Sequence, residues 1–264
     1  MAKSYNPTSS HTNYSSDKLM SLIELLAVQK YPARLSELSE QLNMPSSTVL
    51  RFLNALMNRD YVAQDGNTGR YYMTFKLCGV SDSIRNNNQL HVICLPYMRE
   101  LSKAAEETVN LCVEYNSEVM YIESVADAKT DRMLVNHQYI GHIAPMHCTG
   151  VGKLLLLNYT TRQLDDFIET TGLKKFTDTT IQTKEELLEE LETVRLQGYA
   201  YDNEECEMGL RCIAVPIFDY SEKIVAGLSI SGPSVRMDYE TLNRHRDLIL
   251  PVAKQISINL GYTK

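Results

Sequence analysis

No apolar run among the 264 residues approaches the roughly 18 to 20 needed for a membrane-spanning helix. The first 18 residues are rich in Ser, Asn and Tyr and lack the apolar stretch of a secretory signal. They read as a disordered leader, residues 1–16, of a cytoplasmic protein. Six cysteines stand at 78, 94, 112, 148, 206 and 212, but none forms a C-x-x-C pair, which removes zinc-knuckle and thioredoxin-like chemistry. Reduced, mostly buried thiols are the expectation in that compartment. There is no internal repeat, and no low-complexity tract follows the leader. A net charge of −7 at first argues against a nucleic-acid partner.

The distribution of charge overrides its sum. Residues 1–76 carry a net +2 and the remaining 188 a net −9, so only the first segment approaches DNA without repulsion. The length fits two domains of unequal size, and 44% hydrophobic residues give each a core.

Helical spacing of Leu19, Leu22, Ile23 and Leu26 predicts a first helix over about 17–29. Leu35, Leu38 and Leu42 predict a short second one. Asn43-Met44-Pro45 forms a tight turn, because proline disfavours helical geometry at the residue before it and suits the first turn of a new helix. The third helix, about 46–59, gathers Val49, Phe52, Leu53 and Leu56 on one side and Ser47, Arg51, Asn54 and Asn58 on the other. Two β-prone runs around Asp65-Gly66-Asn67-Thr68-Gly69 then give a hairpin.

A polar helix face is usually just solvated. Here a short helix, a Pro turn, a polar-striped helix and a Gly-tipped hairpin follow in the order of a winged helix-turn-helix domain, residues 17–76. Such a domain packs its third helix on the first two and offers the outer face to the major groove. Arg51 suits a guanine edge, and Asn54 or Asn58 an adenine. Ser46, Ser47 and Thr48 at the helix start suit a phosphate. Arg70, after the hairpin tip, suits the backbone or minor groove.

From Phe75 to Glu107 the pattern is helical, broken at Asn86-Asn87-Asn88. It reads as a linker helix, residues 77–95, followed by the first helix of a second domain, residues 96–264. Beyond Thr108, strands over 111–115 and 119–125 join at Asn116-Ser117. Helices follow over 150–157, 162–170 and 184–196, then strands over 213–218 and 224–230, then a helix over 239–260. That order predicts a largely antiparallel α+β domain.

Gly150-Val151-Gly152-Lys153 is not a phosphate loop, since His147 and Leu154 stand where a Walker pattern needs Gly and Ser or Thr. A helix starting near Thr149 still directs free N–H groups outward, which suits a carboxylate. Ser229 and Ser231 alternate along a strand and so share a face. An enzyme is the alternative reading: Cys212 with His147 as nucleophile and base, or Cys148, Cys206 and His147 as metal ligands. Neither set has local spacing to support it. An adaptor that never binds DNA is a third class.

The run from Leu35 to Leu53, with Gly69-Arg70-Tyr71-Tyr72, resembles the DNA-binding domain of IclR-family regulators. Met146 to Leu155, Gly198 to Glu205, Gly209 to Ile217 and Leu228 to Pro233 resemble successive segments of that family's effector domain. The resemblance implies a GAF-like effector-binding domain and a ligand-responsive transcription regulator, with repression the expected sense of control. It implies no catalysis, no cofactor and no metal site. The implied effector pocket is Gly150, Val151, Asp202, Cys212, Ser229 and Ser231, for a small organic acid. The implied partners are double-stranded operator DNA and the chain itself, as homodimer or homotetramer.

Overall fold

A computed structural model describes residues 14–126 and 140–263. It divides into two compact units, residues 1–85 and 86–264. Among the described residues no helix is long and apolar enough to cross a membrane.

The first unit holds α1 (Tyr14–Val28), α2 (Leu35–Gln41), α3 (Ser46–Met57), β1 (Val62–Gln64) and β2 (Tyr71–Met73). Helix α1 begins three residues before the expected start. Of the expected leader, residues 1–13 lie outside the described residues and 14–16 are already helical. After α2 the chain turns at Asn43, whose φ of +48° lies in the left-handed region that Asn tolerates. Pro45 caps α3 with extended geometry. Leu22 and Leu26 of α1, Leu38 of α2 and Val49, Phe52, Leu53 and Leu56 of α3 pack into one core with Val62 and Tyr71 of the hairpin. Strands β1 and β2 pair antiparallel, and Ala33 adds a bridge to Tyr71. Asp65 orders the hairpin tip, accepting from the N–H groups of Asn67 and Thr68 at 3.0 and 2.7 Å. These bonds hold its carboxyl below the usual range, the Thr68 bonds foremost.

Helix α4 (Lys76–Asn87) spans the division between the units and buries none of its residues. Asn88 then caps α5 (Gln89–Ala105), its side chain accepting from the His91 N–H, so the helical region breaks where the three asparagines stand.

The second unit adds β3 (Thr108–Tyr115), β4 (Glu118–Val125), β5 (Ile143–Pro145), α6 (Gly150–Leu156), α7 (Thr161–Thr171), α8 (Lys184–Gln197), β6 (Ala200–Asn203), β7 (Leu210–Phe218), β8 (Ile224–Pro233) and α9 (Tyr239–Asn259). Strands β5 and β6, not expected from the sequence, form the two edges of a six-stranded antiparallel sheet of order β5-β4-β3-β8-β7-β6. Period-two alternation sorts its side chains into two layers. Ile213, Val215, Ile217, Leu228 and Ile230 pack with Met98 and Leu101 of α5 and Ile249 and Ile256 of α9. Cys112, Tyr121, Ala200 and Ala214, on the opposite face, pack with Val151, Leu154 and Leu155 of α6, Leu164 of α7 and Leu187 of α8.

Candidate functional site

Two constellations stand out, one in each unit. On α3, Ser47, Arg51 and Asn54 are exposed and Thr48 is half-buried. The Arg51 guanidinium lies 5.3 Å from the centre of the Phe52 ring and has no hydrogen-bond or carboxylate partner among the described residues. Its donors are therefore free. Ser46 and Arg70 are occupied within the domain. The Ser46 hydroxyl donates to Ser39 Oγ at 3.0 Å, tying α3 to α2. Arg70 donates to the Pro32 carbonyl at 3.0 Å and lies 3.7 Å from the Glu37 carboxylate, so its guanidinium turns back onto the domain.

The second constellation is a polar row across the inner sheet face. Register places Asp202 opposite Cys212, Cys212 opposite Ser231 and Ser231 opposite Thr108, on four adjacent strands. Residues directly opposite share a face. Ser229 lies on that face two residues along, between Ala214 and Asn110. All are buried. Asn110 Nδ2 donates to Ser231 Oγ at 2.9 Å, and Ser124 Oγ donates to Asn110 Oδ1 at 2.8 Å.

Helix α6 begins against this row. Its cap Thr149 accepts from the Gly152 N–H at 3.3 Å and donates to the Pro145 carbonyl at 2.7 Å. A Cβ on Gly150 would lie 3.2 Å from Cys212 Sγ and 3.3 Å from the Ala200 carbonyl, so glycine lets the helix start approach β7. A Cβ on Gly152 would lie 2.2 Å from the Met146 carbonyl, so no other residue fits without displacing the backbone that leads into α6. Val151 is buried against Gly227 of β8. The structure thus brings Gly150, Asp202, Cys212, Ser229 and Ser231 to one face, with Val151 packing beside them.

Asp202 Oδ1 accepts from the Glu205 N–H at 2.8 Å and the Cys206 N–H at 3.4 Å. Burial, with Glu205 nearby, outweighs these bonds and raises its carboxyl to about 7. Burial also pushes the Cys212 thiol well up. That is the opposite of what a nucleophile needs, since the thiolate is the reactive form. His147 faces elsewhere: its Nε2 lies 3.0 Å from the Lys174 carbonyl and its ring 6.0 Å from that of Phe176. Among the described residues no three His, Cys, Asp or Glu side chains gather as a metal site.

Sequence reasoning missed Asn110, Tyr121 and the role of Lys153. An Asn between Val109 and Leu111 in an apolar strand was the available signal for the first. Tyr121 is buried with Cys112 on the face of the row, and burial raises its hydroxyl well above the ordinary value. Lys153 is 1% exposed. Its ammonium donates to Glu205 at 2.7 Å, Glu190 at 2.8 Å and the Tyr201 carbonyl at 2.9 Å. Three cavities of about 480, 420 and 240 Å³ lie beside α7, beside His147 and beside α9, and none of the three includes the row.

A winged helix-turn-helix followed by an antiparallel α+β domain is the architecture of a two-domain DNA-binding transcription regulator. The chain matches the IclR helix-turn-helix domain over residues 15–66 and the C-terminal domain of bacterial IclR transcriptional regulators over residues 84–258. It belongs to the IclR family. The transcriptional regulator KdgR of Escherichia coli K12 is 37% identical over 228 residues, 86% of each chain. The transcriptional repressor AllR of the same organism is 32% identical over 242 residues, 92% of this chain and 88% of that one. The crystal structure of Thermotoga maritima IclR superposes with a TM-score of 0.84 at 28% identity, covering 95% of this chain and all of that one.

Proposed function

We propose that this chain is an operator-binding repressor, released or tightened on its DNA by a small organic acid that binds the row of Asp202, Cys212, Ser229 and Ser231 beside Gly150 and Val151. The observation that carries the reading is the exposed face of α3, where Ser47, Arg51 and Asn54 project with no internal partner for the arginine. Arg51 makes the paired donation to guanine and Asn54 the adenine contact, as their functional groups allow. Ser46 and Thr48 hold the helix start beside the phosphates, and Arg70 supports the wing. The repressor AllR lends the sense of control by likeness.

Two copies act together, as a dimer or paired dimers, so that two α3 helices meet successive major grooves. Leu77, Val80 and Ile84 are exposed on α4 at helical spacing, and a second copy of the same helix is a fitting cover. In the second unit, Asp202 offers a carboxyl poised to give or take a proton near neutrality, and the two serines offer hydroxyls.

Quantitative gel shifts test the DNA half of this reading. Arg51→Ala, a substitution on an exposed face, should leave the fold intact and sharply reduce the preference for operator over scrambled duplex. A good bidentate contact supplies about 1–3 kcal/mol of discrimination, roughly 5- to 150-fold. Undiminished preference in the variant would take this role from Arg51.

A further inference from the structure

We propose that Leu50 reads the 5-methyl group of a thymine in the major groove and so sets one base of the operator. This rests on the reading of α3 as the recognition helix. Val49, Phe52, Leu53 and Leu56 fill the core of the first unit, and Leu50 is not among the residues that pack there. It is 36% exposed. On a helix, residues three and four apart are neighbours. Leu50 therefore lies one turn from both Ser47 and Asn54, on the flank of the face offered to DNA.

A single exposed leucine is ordinary on a protein surface. This one has hydroxyls at Ser46 and Ser47 and an amide at Asn54 within one turn, each matched to a polar base edge or a phosphate. A leucine has no use for those. The major-groove edges of guanine, cytosine and adenine present polar donors and acceptors, while thymine alone adds a methyl group. Covering that methyl removes apolar surface from water on both partners. A guanine contact from Arg51 and an adenine contact from Asn54 also leave the position flanking Asn54 to be read by shape, which a branched aliphatic side chain provides.

The experiment exchanges a single methyl group. Full-length wild-type protein first selects its preferred duplexes from a random pool. Each thymine of the selected site is then replaced singly by deoxyuridine, which keeps the hydrogen-bonding edge and lacks the methyl. For wild type, one thymine in each half-site should weaken binding about 3- to 10-fold when replaced, the range expected for one buried methyl contact. Leu50→Ala should bind the thymine and uracil duplexes equally, and its affinity for the thymine duplex should fall by the same factor. Circular dichroism and thermal melting confirm that the exposed-site variant is folded. A site with no methyl dependence overturns the proposal, and so does a Leu50→Ala protein that keeps the dependence. Wild-type protein that enriches no sequence overturns the reading of α3 itself, and this one with it.

Discussion

Asp202 illustrates how burial turns a common carboxylate into a group that titrates near neutrality. It is 3% exposed, and its carboxyl is raised from 3.8 to about 7 by burial first and Glu205 second. An acid whose folded pKa lies above its unfolded one keeps its proton in the native chain where the unfolded chain has lost it. Stability then falls as pH rises from about 4 to 7 and levels off above, by up to ~4 kcal/mol for a shift of this size. Asn keeps the oxygen that accepts from Glu205 N–H but carries no charge. Asp202→Asn should therefore gain on wild type as pH rises, by ~2–4 kcal/mol between pH 4.5 and 8, read from urea unfolding at fixed protein concentration. Glu205, itself raised chiefly by burial, is present in both proteins, and its coupling to Asp202 is part of the difference that is read. Parallel pH curves would mean that Asp202 is ionised throughout. The sequence named Asp202 through its family resemblance. It held no sign of the altered acidity, which comes chiefly from burial in a sheet assembled from distant strands.

Among the elements, α6 shows most clearly what was legible and what was not. Its start was, because Thr149 is a good cap and the glycines after it mark a close approach. The β3–β4 turn was as well: Asn116 and Ser117 adopt φ of +51° and +63°, as a tight hairpin requires. Strand β5 escaped because it is three residues long and ends in proline, and β6 because an aspartate occupies one of its two buried positions. The polar row needs the register of four strands from distant parts of the chain, with Asn110 and Ser231 121 residues apart, and no local pattern encodes that. Nor does local sequence show that Lys153 points inward. Burial lowers its affinity for a proton, but Glu205 and Glu190 outweigh this and hold the ammonium above its ordinary pKa. The contacts with Glu190 at 2.8 Å and Glu205 at 2.7 Å are ion pairs, and they tie α6 to α8 and to the segment after β6 respectively. Lys153→Met should cost about 3–5 kcal/mol, because it strands a buried carboxylate. Adding Glu205→Leu should recover much of that loss. Urea unfolding followed by far-ultraviolet circular dichroism measures both, and a cost below ~1 kcal/mol for the single variant would show that the network does not anchor α6.

At the scale of the whole molecule, the charge partition and the two units assign different tasks to the two ends of the chain. The first 76 residues, at net +2, carry the face proposed to meet DNA, and the rest, at net −9, carry the buried row. Regulation requires that the two communicate, and α4 is the element that spans the division between the units. Whatever the route, thermodynamics constrains the result. An acid changes operator affinity only through its different affinities for the DNA-free and DNA-bound proteins. If it alters operator binding by some factor, operator DNA must alter acid binding by the same factor, about 5- to 150-fold for couplings of 1–3 kcal/mol. Small oxo-acids and aromatic acids are the compounds to try. Fluorescence anisotropy with labelled operator, with and without saturating acid, gives one factor. Calorimetric titration of the acid into free and operator-bound protein gives the other. The two should agree, and Ser229→Ala with Ser231→Ala should weaken acid binding while leaving acid-free operator affinity near wild type. An acid that moves operator affinity in this double variant as strongly as in wild type acts from a site other than the row. An acid that binds the row with equal affinity in free and DNA-bound protein is a ligand without a regulatory role.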